Sequence, residues 1–167
     1  MSEDAFRIIG IDPGSRYTGY GLVERRGSEF IHIASGRINA TSGDDFASRL
    51  ALIYRGLTTI LGDHRADEAA IETVFTAHNV QSTIKLGQAR GVALLALNHA
   101  DLPIDEYSPS KVKKTVVGHG RATKQQVIDM IRMRLNLRGA IAEDAADALA
   151  IALCHGQVVD FKRKLHS

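Results

Sequence analysis

The chain has few of the residues on which several common kinds of site are built. Its single cysteine, Cys154, has no partner for a disulfide or a thiolate zinc site and reads as core filler. No run of about 18 uninterrupted apolar residues occurs, so no membrane-spanning helix is expected. The start, Met1-Ser2-Glu3-Asp4, is acidic where a secretory signal would be basic and then apolar, which points to the cytoplasm. Familiar loop and nucleophile motifs are missing too. No GxGxxG follows a strand, and the nearest stretch to a Walker loop is Gly118-His119-Gly120-Arg121-Ala122-Thr123-Lys124. HExxH and GxSxG are also absent. Whatever chemistry the chain performs must come from other side chains.

The 167 residues are 44% hydrophobic and 24% charged, which is ordinary globular usage and argues against disorder, collagen or a coiled coil. The length suits one compact domain over residues 1–158, followed by a flexible basic tail, 159–167, carrying Lys162-Arg163-Lys164. The total charge of +2 hides an asymmetry. Tyr107 to Arg138 holds eight Lys or Arg against one Asp, a net +7, which leaves −5 for the rest. A local basic excess suits a phosphate backbone, although surface helices also carry Lys and Arg for solubility.

Patterning gives the order β-β-β-α-β-α-β-α-α-α. Phe6 to Ile11 reads as a buried strand broken by Asp12-Pro13-Gly14-Ser15, and β-like runs Gly19 to Glu24 and Phe30 to Ile38 complete an antiparallel meander. Phe46, Leu50, Ile53, Leu57, Ile60 and Leu61 keep helical spacing. Ala69-Ala70-Ile71-Glu72 between two helices predicts a parallel, buried strand. The long helix Val80 to Ala100 puts Gly87 and Gly91 on one face, open to close approach of another element, internal or from a second subunit. Leu102 to Tyr107 gives a last strand, and Ser108-Pro109-Ser110 opens a short basic helix. Thr123 and Gln126 form a capping box for the next helix, and a final helix runs from about Glu143 to His155. The fold class is α/β, a mixed five-stranded sheet with helices on both faces.

In such a sheet ligands gather beyond the carboxyl ends of the parallel strands, where Asp12 and Glu72 both fall. Asp144 and Asp147, three residues apart on the last helix, share a face. Each acid alone has an ordinary reading: Asp-Pro-Gly is a common turn, an acid in a first helical turn suits the dipole, and Glu72 can be solvated. Together they are harder to dismiss, because Asp147 stands among Ala145-Ala146 and Ala148-Leu149-Ala150-Ile151, where an unpaired charge is costly. Converging carboxylates raise one another's pKa unless cations neutralise them, and oxygen-only ligands suit Mg²⁺ or Mn²⁺. Two such ions about 3.5 to 4 Å apart support phosphodiester hydrolysis without a Ser, Cys or His nucleophile.

Five stretches carry a resemblance: Gly10-Ile11-Asp12-Pro13-Gly14-Ser15-Arg16, Ala70-Ile71-Glu72-Thr73-Val74-Phe75, Lys85-Leu86-Gly87-Gln88-Ala89-Arg90-Gly91, Lys113-Lys114-Thr115-Val116-Val117-Gly118 and Asp144-Ala145-Ala146-Asp147-Ala148-Leu149-Ala150. From about Ile8 to His155 the chain closely resembles the bacterial Holliday junction resolvases of the RuvC family. The resemblance implies an RNase H-like fold in a homodimer that nicks two strands symmetrically across a four-way DNA junction, with two Mg²⁺, or Mn²⁺, per site. It places Asp12, Glu72, Asp144 and Asp147 as catalytic metal ligands. Lys113 then lies beside the chemistry and Lys124 at the DNA. Phe75 is expected to stack on a junction base, its alternative being a buried loop anchor. The basic segment adds Lys111, Lys114 and Arg121 as DNA-facing candidates, and Gly87 and Gly91 as a dimer face. Some relatives carry His at one last-helix acid; this chain keeps Asp at both and adds Glu143, a spare ligand or a dipole partner. His119, in its glycine turn, touches phosphate or faces solvent. A branch-migration motor, RuvA with RuvB, is the implied partner.

Three rivals remain. An actin-like or sugar-kinase-type ATPase shares the strand and Gly-x-Asp-x-Gly start but needs a second domain. A non-catalytic junction-binding module would use the basic segment alone. An RNase H-like nuclease of the YqgF type, acting on RNA, fits the carboxylates equally well.

Overall fold

The computed structural model describes residues 5–74 and 79–165. Three strands, β1 (Phe6–Asp12), β2 (Tyr17–Arg26) and β3 (Glu29–Asn39), form the antiparallel meander, with Gly27 at φ 60° turning the chain between the last two. There follow α1 (Phe46–Asp63), β4 (Glu68–Glu72), α2 (Val80–His99), β5 (Ile104–Tyr107), α3 (Pro109–Val117), α4 (Lys124–Arg134) and α5 (Glu143–Leu165). The sheet order is β3-β2-β1-β4-β5, with β4 parallel to both β1 and β5.

Helix starts follow local chemistry. Asp45 accepts from the Ser48 amide at 2.6 Å to open α1, Ser108 accepts from the Lys111 amide at 3.1 Å ahead of Pro109, and Thr123 and Gln126 satisfy each other's backbone amides to open α4. Gly118, at φ 109°, closes α3 in the left-handed region.

Alternation along the strands divides the core in two. Ile9, Ile11, Leu22, Ala69 and Ile71 meet α1 and α2 in one apolar cluster, whereas Ile8, Val23 and Ala70 meet α3, α4 and α5 in the other. By the same period of two, Asp12 and Glu72 leave the sheet on the α5 side.

Two boundaries differ from the sequence expectation. The fifth strand begins at Ile104, two residues later than Leu102, because Pro103 has no amide hydrogen to give a ladder. Helix α5 continues ten residues past His155, so Lys162, Arg163 and Lys164 lie in its last turn. That helix is buried on all sides from Ala148 through Gly156, which hides the amphipathic stripe by which a helix end is usually read.

Candidate active site

Strands β1 and β4 run in parallel and end on the same rim, bringing Asp12 and Glu72 together. The first turn of α5 supplies Asp144 and Asp147, and it reaches the rim because the strands beneath carry no side chain. A Cβ at Gly19 would overlap the Asp144 carbonyl oxygen. One at Gly10 would overlap that of Ala148, and one at Gly21 would lie 2.7 Å from the Leu149 nitrogen. These three glycines form a seat on which α5 lies backbone to backbone.

The result is a cleft of about 360 Å³ lined by Asp12, Glu72, Asp144 and Asp147, by Lys113 of α3 and Lys124 of α4, and by Pro109, Val112, Val127 and Ala150. Burial pushes the Asp12 carboxyl up to about 8, with Asp147, Glu72 and Asp144 adding repulsion. Burial also raises Glu72 and Asp147 above the usual carboxylate range, against the pull of Lys113 and Lys124. Lys124 pairs with Glu143 and lies 3.8 Å from Asp147, and the Glu143 contact holds its ammonium above the ordinary lysine value.

Among the site residues expected from sequence, the four acids, Lys113 and Lys124 share this cleft. Lys111, Lys114, Arg121 and His119 are exposed outside its lining, and Glu143 takes the role of Lys124's partner. Phe75 lies outside the described residues. Gly87 and Gly91 have open space at their Cα atoms, so neither packs internally. Sequence reasoning passed over Arg37 on β3, whose guanidinium lies 3.9 Å from Asp144 and over the Tyr17 ring at 4.2 Å. Nothing local marks it; only the pairing of β3 with β2 carries it to the cleft. Arg90, whose Nε donates to the Glu72 carbonyl at 3.0 Å, was likewise seen only as part of a motif.

The acids satisfy the donor chemistry of a hard divalent cation, being carboxylates only. They stand around the cleft rather than in one tight knot. Among the described residues, the group whose ligand-type atoms all fall within 4.8 Å of one another is instead Glu68, Asp105 and His155. There Glu68 lies 2.6 Å from His155 Nε2, while the Tyr107 hydroxyl, at 2.7 Å, and Asp105, at 3.7 Å, face Nδ1. With acids at different edges of one imidazole, that group is a hydrogen-bonded tie from α5 to β4 and β5 rather than a metal cage. The four cleft acids are more widely spread than that group.

A mixed sheet of this order, with acids on the rim shared by β1, β4 and α5, defines an RNase H-like fold with an acidic cluster able to hold metal. The family model for crossover junction endodeoxyribonuclease RuvC matches residues 8–155. Crossover junction endodeoxyribonuclease RuvC of Geobacter sulfurreducens is 48% identical over 161 residues, 96% of this chain and 98% of that protein. Its counterpart in Alkalilimnicola ehrlichii is 51% identical over 159 residues, 95% of this chain and 96% of that protein. The T. thermophilus RuvC structure in complex with a Holliday junction substrate superposes with a TM-score of 0.88 at 30% identity, covering 94% of this chain and 96% of that one. The yeast mitochondrial Holliday junction resolvase, at 17% identity and a TM-score of 0.68 over 95% of this chain and 84% of its own, shares the fold. The chain belongs to the RuvC family of crossover junction endodeoxyribonucleases.

Proposed function

We propose that this protein resolves four-way DNA junctions by hydrolysing one phosphodiester in each of two symmetry-related strands. The observation that carries the reading is the convergence of Asp12, Glu72, Asp144 and Asp147 on one cleft between two lysines. The acids would hold two Mg²⁺, with Mn²⁺ as a substitute. When bound, these ions activate water and neutralise the leaving oxygen. Lys113 and Lys124 hold the phosphate in line, while Val112, Val127 and Ala150 give the cleft dry walls. Lys111, Lys114 and Arg121, exposed on α3 and the turn after it, continue the positive surface along the duplex. Phe75, which follows β4 in sequence, would stack on a base at the crossover.

A second copy completes the enzyme. Val80, Ile84 and Leu95 of α2 are 75%, 55% and 48% exposed, and they share a stripe with Gly87 and Gly91 at helical spacing. Such a stripe suits a two-fold contact, which would match the two-fold symmetry of a junction. We also assign a cytoplasmic location, beside the DNA, and cooperation with a RuvA and RuvB branch-migration motor. Lys162, Arg163 and Lys164, expected in a flexible tail from 159, instead lie in the continuous last turn of α5.

Incubating the purified protein with a synthetic four-way junction, a linear duplex and an RNA hybrid, with Mg²⁺ or with EDTA, tests the reading. Paired nicks at the junction in Mg²⁺ alone are expected. Cleavage of the hybrid in preference would favour an RNA-directed nuclease, and binding without nicks a non-catalytic module.

A further inference from the structure

We infer that Arg90 is a positioning residue for the metal site, setting the Glu72 carboxylate from behind the sheet through its backbone. This rests on the metal reading of the cleft. Glu72 is the last residue of β4, one step beyond Ile71, where the ladder to β1 ends. On the β5 side the chain is still held, since the Thr73 amide donates to the Tyr107 carbonyl at 2.9 Å. The Glu72 carbonyl would otherwise point off the sheet. Arg90 reaches it from α2, the layer opposite the cleft, and donates from Nε at 3.0 Å.

The guanidinium is itself held. Its side chain is 17% exposed, and Nη2 lies 2.8 Å from Glu106 Oε1, an ion pair off the line of a hydrogen bond. Glu106 sits on β5 directly opposite Ile71. Arg90 therefore spans the ends of two parallel strands and fixes the peptide from which the Glu72 side chain projects. In the cleft the Glu72 carboxylate faces the charges of Lys113 and Lys124, and the peptide held by Arg90 sets where its oxygens stand between them. Partners of this outer kind typically change metal affinity by about 10- to 100-fold when removed.

The test is Mn²⁺ binding to the full-length protein, followed by electron paramagnetic resonance of free Mn²⁺, for the wild type, Arg90→Gln, Arg90→Lys, Glu72→Gln and Glu72→Gln with Arg90→Gln. Thermal unfolding in EDTA is measured alongside. Arg90→Gln is expected to weaken Mn²⁺ binding about tenfold. Arg90→Lys, which keeps a donor and the charge, recovers part of the loss and serves as the readout if the glutamine variant does not fold. In the Glu72→Gln background the Arg90 change should add less than about twofold, since both losses pass through one ligand. Unchanged Mn²⁺ binding in the Arg90 variants, or an equal loss in both backgrounds, overturns the role of Arg90. If Glu72→Gln itself leaves Mn²⁺ binding unaltered, the metal reading of Glu72 fails instead.

Discussion

Asp12 is the residue on which the electrostatics of the cleft concentrate, because burial and three neighbouring acids all oppose its charge. A carboxyl raised to about 8 binds its proton more tightly folded than unfolded, so it stabilises the fold at low pH and loses that contribution as pH rises through about 8. In EDTA the melting temperature should therefore fall as pH rises from the ordinary carboxylate value, 3.8, to about 8, and level off above that. Asp12→Asn should flatten that slope and raise the melting temperature at pH 9, by about 2 to 4 °C for each kcal/mol of repulsion relieved. The same variant should lose junction cleavage while keeping junction binding, measured by gel shift in Ca²⁺; cleavage at the normal rate would remove Asp12 from the catalytic set. Protons and cations compete for these oxygens, so half-saturating Mg²⁺ should decrease as pH rises from 6 to 9. Lys113 faces the same cleft as a fixed positive charge, and Lys113→Ala should slow cleavage by about 10²-fold, the scale for losing one charge-stabilising donor, with binding in Ca²⁺ little altered.

Among the elements, α5 does most to build the site, and its placement depends on β2. Gly19→Ala would drive a methyl group into the Asp144 backbone, so the helix start must rise from the rim. We expect a loss of about 1 to 3 kcal/mol in thermal unfolding and a drop in cleavage larger than that in binding. Normal cleavage by Gly19→Ala would show that the seat does not set the acids. This arrangement also marks how far the sequence could be read. Asp12 and Glu72 were legible because an apolar run ending in an acid identifies a strand and its rim, and Thr123 with Gln126 named its own cap. The glycine seat was not, since Gly10, Gly19 and Gly21 matter only to a helix more than a hundred residues away. Arg37 and Arg90 reach the site through sheet order and helix packing, which no local pattern encodes. The far end of α5 was missed because burial all round removes the stripe that periodicity detects.

At the scale of the whole molecule, the α2 stripe faces away from the cleft's own helices, so the proposed two-fold contact would leave the cleft free. Gly91→Leu should give a monomer in sedimentation velocity and convert paired nicks into single ones; an unchanged dimer would remove Gly91 from the contact. The layers also divide labour: α1 and α2 shore up one face of the sheet, while α5 carries acids at one end and His155 further along. Helix α5 thus behaves as a beam resting on a fulcrum of glycines, moored at His155 by Glu68 and Tyr107. Asp144 stands eleven residues from that mooring, about 16 Å along the axis. The glycines support the helix from Asp144 to Ala152, so a shift of α5 at its His155 tie would carry Asp144 and Asp147 with it, and the placement of the acids rests in part on a buried imidazole outside the cleft.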